Sequence, residues 1–386
     1  MFSDFDRGVD RRGTASEKWD DNLNVFGRED VLPLWVADMD FQAPKPVVDA
    51  LTARAAHGIY GYNIFDPEDN LAVINWMATR HNLHIKESEI RQSPGVVLSM
   101  LYALNAVCEK GDPVAIMTPV YGPFYRMPER AGMTLVKCPL IENNNVYTMD
   151  LELFERQCKD GLKALLFCSP HNPVGRVWTL AELTALVQIC NRYNVRIIAD
   201  EIHMDLVMPG HAHTPILNVP GAEKAILLAS ATKTFNLAGL RHSSILVKDQ
   251  DTLDQIDKVM SACAVGEPNI FGALAQRIAY EQGAPWLDSL IEYVSGSAQF
   301  VIDYLAAHLP EILPAELQGT YLMWLDCRQL GLPDVWRFLI DEAGVGLNNG
   351  ESFGEAGKGF VRLNLATPRS NIKTALEQIE RAVRAR

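Results

Sequence analysis

Between residues 90 and 247 short apolar runs alternate with stretches of helical spacing, and this alternation constrains the fold more than any other feature. Residues 114–117, 134–136, 163–168, 195–199, 225–229 and 244–247 have the length and composition of buried strands. Helical patterns at 96–108, 121–131, 150–158 and 179–193 separate most of them. Parallel neighbours need such crossover segments, whereas antiparallel ones can be joined by a tight turn. The expectation is therefore an α/β chain with a mostly parallel sheet sandwiched by helices.

The flanks read differently. Prolines at 44 and 46 favour a helix from Val47 to near Gly58, and Asp66-Pro67-Glu68 is a capped helix start. Thr179-Leu-Ala-Glu182 has the form of a capping box. Beyond Lys248 come longer helices at 271–281 and 286–309, strand-like runs at 320–325 and 360–365, and a last helix from Ser370. This predicts a large domain over 49–284 and a smaller α+β domain built from 1–48 and 285–386. The first forty-odd residues read as irregular, and 344–359 as a glycine-rich loop.

Composition excludes several classes. The 386 residues are 48% apolar and 22% charged, an ordinary globular balance, and a net charge of −13 repels nucleic acid. No apolar run has the length of a membrane span, and Met1–Asp6 lacks a leader pattern. Seven scattered cysteines without a C-x-x-C pair fit reduced thiols, and hence a cytoplasmic location.

Three of the expected strands end in polar residues: Asn172 follows one, Asp200 the next, and Ser230 with Lys233 a third. Parallel strands deliver their carboxyl ends to one edge, where α/β proteins bind ligands. Turn and cap roles account for Asn172 or Asp200 taken singly. Together with a nucleophilic amine they describe a pyridoxal phosphate site. Lys233 would form the imine, Asp200 would keep the ring nitrogen protonated, and Asn172 would donate to the ring oxygen. Ser230, Arg241 and the backbone N–H groups after Pro94-Gly95 would hold the phosphate.

Asn172-Pro-Val-Gly175, Asp200-Glu-Ile-His203 and Ser230-Ala-Thr-Lys233 with Arg241 resemble the marks of fold-type-I pyridoxal-phosphate enzymes, the aspartate aminotransferase superfamily. More narrowly, LWVADMDF at 34–41, SPHNPVGRVW at 169–178, DEIHMD at 200–205 and GAPWL at 283–287 are similar to the MalY/PatB group of cystathionine β-lyases, or C–S lyases. The resemblance implies α,β-elimination of S-substituted cysteines to pyruvate, ammonia and a thiol, with Lys233 as general base. It further implies Tyr121 stacked on the cofactor ring and Val96 and Val97 offering N–H groups to the phosphate. Arg362 and the main chain at Ala37 would bind the substrate carboxylate. Tyr62 would reach the phosphate of a second subunit in a homodimer. His203 stands where many aminotransferases carry a tyrosine, and the lyase group shares it. The resemblance also leaves transamination as an alternative, and a regulatory protein-binding role as a more distant one.

Other patterns carry less. Ser230-x-x-Lys233 matches a penicillin-binding hydrolase motif but lacks its S-D-N and K-T-G partners. His81-x-x-His84 and His211-Ala-His213 lack a third metal ligand nearby, and 354–359 fails the Walker pattern. No metal is expected.

Overall fold

The computed structural model describes residues 4–386. Met1 to Ser3, where the leader reading and the expected small domain both begin, lie outside the described residues. Seven strands form the main sheet in the spatial order Ile90–Ser93, Ser243–Leu246, Ile226–Ala229, Arg196–Asp200, Ala164–Cys168, Pro113–Thr118, Thr134–Pro139. The last five are mutually parallel, while Ser243–Leu246 runs antiparallel to both its neighbours. Cys168 pairs with Asp200 and Asp200 with Leu228, so these strands finish level with one another.

Strands Ala164–Cys168, Ile226–Ala229 and Ser243–Leu246 are buried at every position. Alternate side chains point to opposite faces, and two apolar cores result. Leu165, Phe167, Ile197, Ala199 and Leu227 pack into one. Leu166, Ile198, Ile226 and Leu228 pack into the other, with the helices Val96–Val107 and Gln250–Ala262. The capping box at Thr179 forms, with Glu182 N–H donating to the Thr179 hydroxyl and the Glu182 carboxylate accepting from Thr179 N–H.

A second sheet has the order Leu313–Pro314, Leu322–Asp326, Phe360–Asn364, Asn348–Asn349, all antiparallel. Leu32–Pro33 pairs in parallel with Val345–Gly346, which brings the start of the chain onto its last third. Gly346 is required there, because a Cβ would lie 2.6 Å from the Phe26 ring. Residues 344–359 are thus short strands and 3-10 turns rather than a plain loop. The structure adds a helix at Gln250–Ala262, outside the expected elements; Asp249 caps it, and Leu253 and Ile256 bury in the core beneath it.

The irregular reading of the first forty residues also needs correction. Helices Glu17–Asp20 and Asn22–Phe26 form there, too short to persist alone. Buried charge holds them. Lys18, wholly buried, meets the Asp38 carboxylate at 3.0 Å and Asp40 at 3.2 Å. Arg11 grips Asp38 at 2.6 and 2.9 Å and Asp40 at 3.1 Å, and Trp19 Nε1 donates to Asp40 at 2.9 Å. The Asn364 amide donates to the Val36 and Asp38 carbonyls, both at 2.6 Å. The backbone from Val36 to Asp40 is therefore held from two sides. Removing one partner strands the others in a dry site. Asp40→Ala is expected to cost about 3–5 kcal/mol, read as a lower denaturant midpoint, whereas the exposed pair Lys45–Asp49 is worth well under about 1 kcal/mol.

Candidate active site

Strand Ile226–Ala229 stops at Ser230, the N-cap of the four-residue helix Ala231–Thr234. Ser230 Oγ accepts from Thr232 N–H at 3.1 Å and donates to the His242 carbonyl at 2.6 Å. This turn carries the Lys233 amine towards the N-terminal segment, where it donates to the Ala37 carbonyl at 2.6 Å. The Tyr321 hydroxyl donates to the same oxygen at 2.9 Å.

Asp200 ends the neighbouring strand and accepts from Ile202 N–H at 3.1 Å. His203, three residues on, is buried with Nδ1 unpartnered and meets the Tyr321 ring edge-on at 6.1 Å. Asn172 follows the next strand, and its Oδ1 accepts from Arg362 at 3.0 Å. Arg362 comes from the second sheet, on strand Phe360–Asn364, and is buried. It also donates to the Trp35 carbonyl at 2.8 Å, lies over the Phe353 ring and leaves Nε unpartnered.

A cavity of about 500 Å³ is lined by Ala37, Val96, Val97, Tyr121, Asn172, Asp200, His203, Thr232, Lys233 and Arg241, with Arg362 and Tyr321 one contact behind this wall through Asn172 and Ala37. The helix Val96–Val107 points its first turn into it, and a first turn leaves N–H groups without intrahelical partners. Val96 and Val97 can therefore offer only backbone donors. Arg241 reaches the cavity from a left-handed backbone, φ 48°. Ser230 stands behind this wall with its hydroxyl committed to the cap. Tyr62 does not line the cavity of its own chain and is fully exposed.

Burial dominates the electrostatics. It brings the Lys233 amine down to about 8, with Arg362 pushing the same way and Asp38 and Asp200 opposing. Burial pushes Asp200 up to about 7, partly offset by the Ile202 N–H and by Lys233. It lowers His203 to about 3, helped by the charges of Lys233 and Arg362, so this imidazole is neutral. Arg362 falls only to about 10 and stays cationic. A weakly basic amine and a buried carboxyl on one cavity, with a fixed guanidinium behind its Asn172, suit an amino-acid substrate and an electrophilic ring cofactor.

Two features of the site escape sequence reasoning. Tyr321 shares an acceptor with Lys233 but sits before an ordinary buried strand, with nothing local to mark it. Thr232 faces the cavity where Ser230 does not; a second hydroxyl beside the lysine was the available signal.

The model of the family described as aminotransferase class I and II matches residues 29–379. The chain is 36% identical to the cystathionine beta-lyase PatB of Bacillus subtilis, over 98% of this chain and 99% of that protein. It is 35% identical to the protein MalY of Escherichia coli, over the full length of both. Among solved structures, cystalysin from Treponema denticola, described as containing a pyridoxal 5'-phosphate cofactor, superposes with a TM-score of 0.96 at 34% identity and full coverage of both chains. Strand order, cavity and full-length similarity agree, and the chain belongs to the class I and II aminotransferase family, in its MalY/PatB branch.

Proposed function

We propose that the chain is a pyridoxal-phosphate-dependent carbon–sulfur β-lyase, acting on cystathionine, cysteine or related S-substituted cysteines. One observation carries this reading: Lys233, Asp200 and Asn172 converge on a single cavity, with Arg362 bonded to Asn172 behind its wall, in a chain similar over its whole length to proteins named as such lyases.

The residues present fit the cofactor. Asp200 is a buried carboxyl with one backbone donor, and a cationic ring N–H opposite it would offset the cost of burying its charge. Asn172 can donate to the ring oxygen while its own oxygen stays on Arg362. Thr232, Arg241 and the N–H groups of Val96 and Val97 form a phosphate cradle, with Ser230 bracing the turn behind it. Tyr121 offers an aromatic face at the cavity wall.

Pyridoxal phosphate bound there supplies an electron sink for the pair left on the substrate α-carbon. Arg362, with its unpartnered Nε, and the main chain at Ala37 hold the α-carboxylate, which fixes the α-hydrogen relative to Lys233. Lys233 takes that proton; at about 8 its amine has a usable neutral fraction near physiological pH. His203, neutral, adds no further positive charge to the wall. Loss of the thiolate from the β-carbon then gives, after hydrolysis, pyruvate and ammonia.

The working unit in this proposal is a homodimer. Ile59, Tyr60, Tyr62 and Ile64 stand exposed within one short loop, an apolar patch that a second copy would cover. Tyr62 then completes the phosphate site of the neighbouring subunit. The same reading divides the chain into 49–284 and a small domain from 1–48 with 285–386, the cavity lying at the strand ends of the main sheet against Ala37. Seven unpaired cysteines support a reducing, cytoplasmic setting. No helix among the described residues is long and apolar enough to cross a membrane.

Three measurements test this. The wild-type holoenzyme is expected to release pyruvate and thiol from cystathionine without a keto acid, and Lys233→Ala to lose at least about 1,000-fold in rate; a strict keto-acid requirement without thiol release identifies a transaminase instead. Mixing Lys233→Ala with Tyr62→Ala subunits should restore about a quarter of wild-type activity, because half the dimers are mixed and each has one intact site; no recovery removes the shared site. The third concerns linkage. Asp200 is raised above its unfolded value of 3.8, so its stabilising contribution is full below about pH 4 and is lost as pH rises to about 7. In cofactor-free protein Asp200→Asn should therefore gain on the order of 3 kcal/mol at pH 8, a gain that shrinks towards pH 4 in denaturant titrations.

A further inference from the structure

A buried carboxylate behind the cavity takes no part in the chemistry described so far. Asp205, with 2% of its side chain exposed, accepts from Trp76 Nε1 at 2.9 Å, His81 Nε2 at 2.6 Å and Thr234 Oγ1 at 2.7 Å. Trp76 and His81 belong to helix Pro67–His81. Thr234 directly follows Lys233 in the helix Ala231–Thr234. Asp205 itself lies on the turn that carries Asp200 and His203. One carboxylate thus joins the turn bearing the amine, the turn bearing the acid, and a rigid helix behind both.

A helix of four residues cannot hold its own shape. Ser230 secures its first end through the His242 carbonyl, and Thr234 secures its last through Asp205. The Asp200–Asp205 turn is clamped at its other end as well. Glu201 accepts from Ile216 N–H at 2.7 Å and pairs with His213 Nε2 at 2.8 Å. The His213 and His81 rings meet edge-on at 6.2 Å, so the two clamps touch. Burial alone would raise Asp205, but the donors His81, Thr234 and Trp76 outweigh it and keep the carboxylate ionised. An ionised acceptor with three donors is both satisfied and stiff.

We propose that Asp205 is a positioning residue: through Thr234 it sets where the Lys233 amine stands relative to Asp200 and His203, with Trp76 and His81 as its fixed backing. This rests on reading Lys233 as the reacting amine. Proton transfer and ring contacts fall steeply with misplacement of the order of an ångström, so losing the tie costs rate rather than substrate affinity.

The test compares Thr234→Val with Thr234→Ser in the purified holoenzyme, because the first removes the hydroxyl at nearly constant volume and the second keeps it. Pyruvate release from cystathionine gives kcat and KM, and the visible absorption of bound pyridoxal phosphate reports the lysine–cofactor geometry independently of turnover. Thr234→Val should lower kcat by about tenfold or more, change KM by less than about threefold and shift the visible band. Thr234→Ser should stay within about twofold of wild type, with the wild-type band. Thr234→Val with wild-type kcat and band overturns the proposal, even where its melting temperature falls. Equal losses in both variants overturn it too, since the hydroxyl would then not be the tie. If Lys233→Ala kept its activity, the premise itself would fail; an inactive Lys233→Ala beside an unaffected Thr234→Val removes only the role of Asp205.

Discussion

Parallel pairing of the central strands is the constraint on which the site depends. Cys168 lies opposite Asp200 and Asp200 opposite Leu228, so the chain leaves three adjacent strands at nearly one level. Each exit then needs only a few residues to deliver its polar group: Asn172, Asp200 and Lys233 meet at one cavity for this reason. Both faces of these strands are apolar, so the register rests on the fit of each face to its own core: a shift by one residue would send side chains packed into one core into the other.

The sheet supplies one wall only. The other comes from the backbone between Trp35 and Asp40, whose carbonyls receive Lys233, Tyr321 and Arg362. That segment has little regular structure of its own and is held by Lys18, Arg11 and Trp19 on one side and Asn364 on the other. The clamp is also electrostatic. Asp38, fixed by two cations, still acts on Lys233 and counters part of the effect of burial on its amine. Holding a backbone wall with buried ion pairs is costly to assemble and costly to break, which suits a surface that must not move when a substrate carboxylate arrives.

Much of this was legible beforehand, for local reasons. Strands ending at Cys168 and Ala229 announce themselves by unbroken apolar runs, the one ending at Asp200 by Ile197, Ile198 and Ala199, and the Thr179 box by its two side chains. Helix Gln250–Ala262 carries an equally local signal in Asp249, Leu253 and Ile256. The helices at Glu17–Asp20 and Asn22–Phe26 are a different case. Their stability comes from Lys18 meeting carboxylates about twenty residues away, which no window of sequence displays.

The sequence by itself determined the layered α/β core and the set of polar residues at its strand ends, because periodicity and strand-end chemistry are written within a few neighbouring positions. Only the tertiary structure decided that Ser230 braces while Thr232 faces the cavity, that Tyr321 and Lys233 share the Ala37 carbonyl, and that Asp205 ties Thr234 to Trp76 and His81. Those outcomes depend on which distant groups are buried side by side. A buried donor or acceptor must find its partner wherever the fold has brought one, and that pairing is settled in three dimensions.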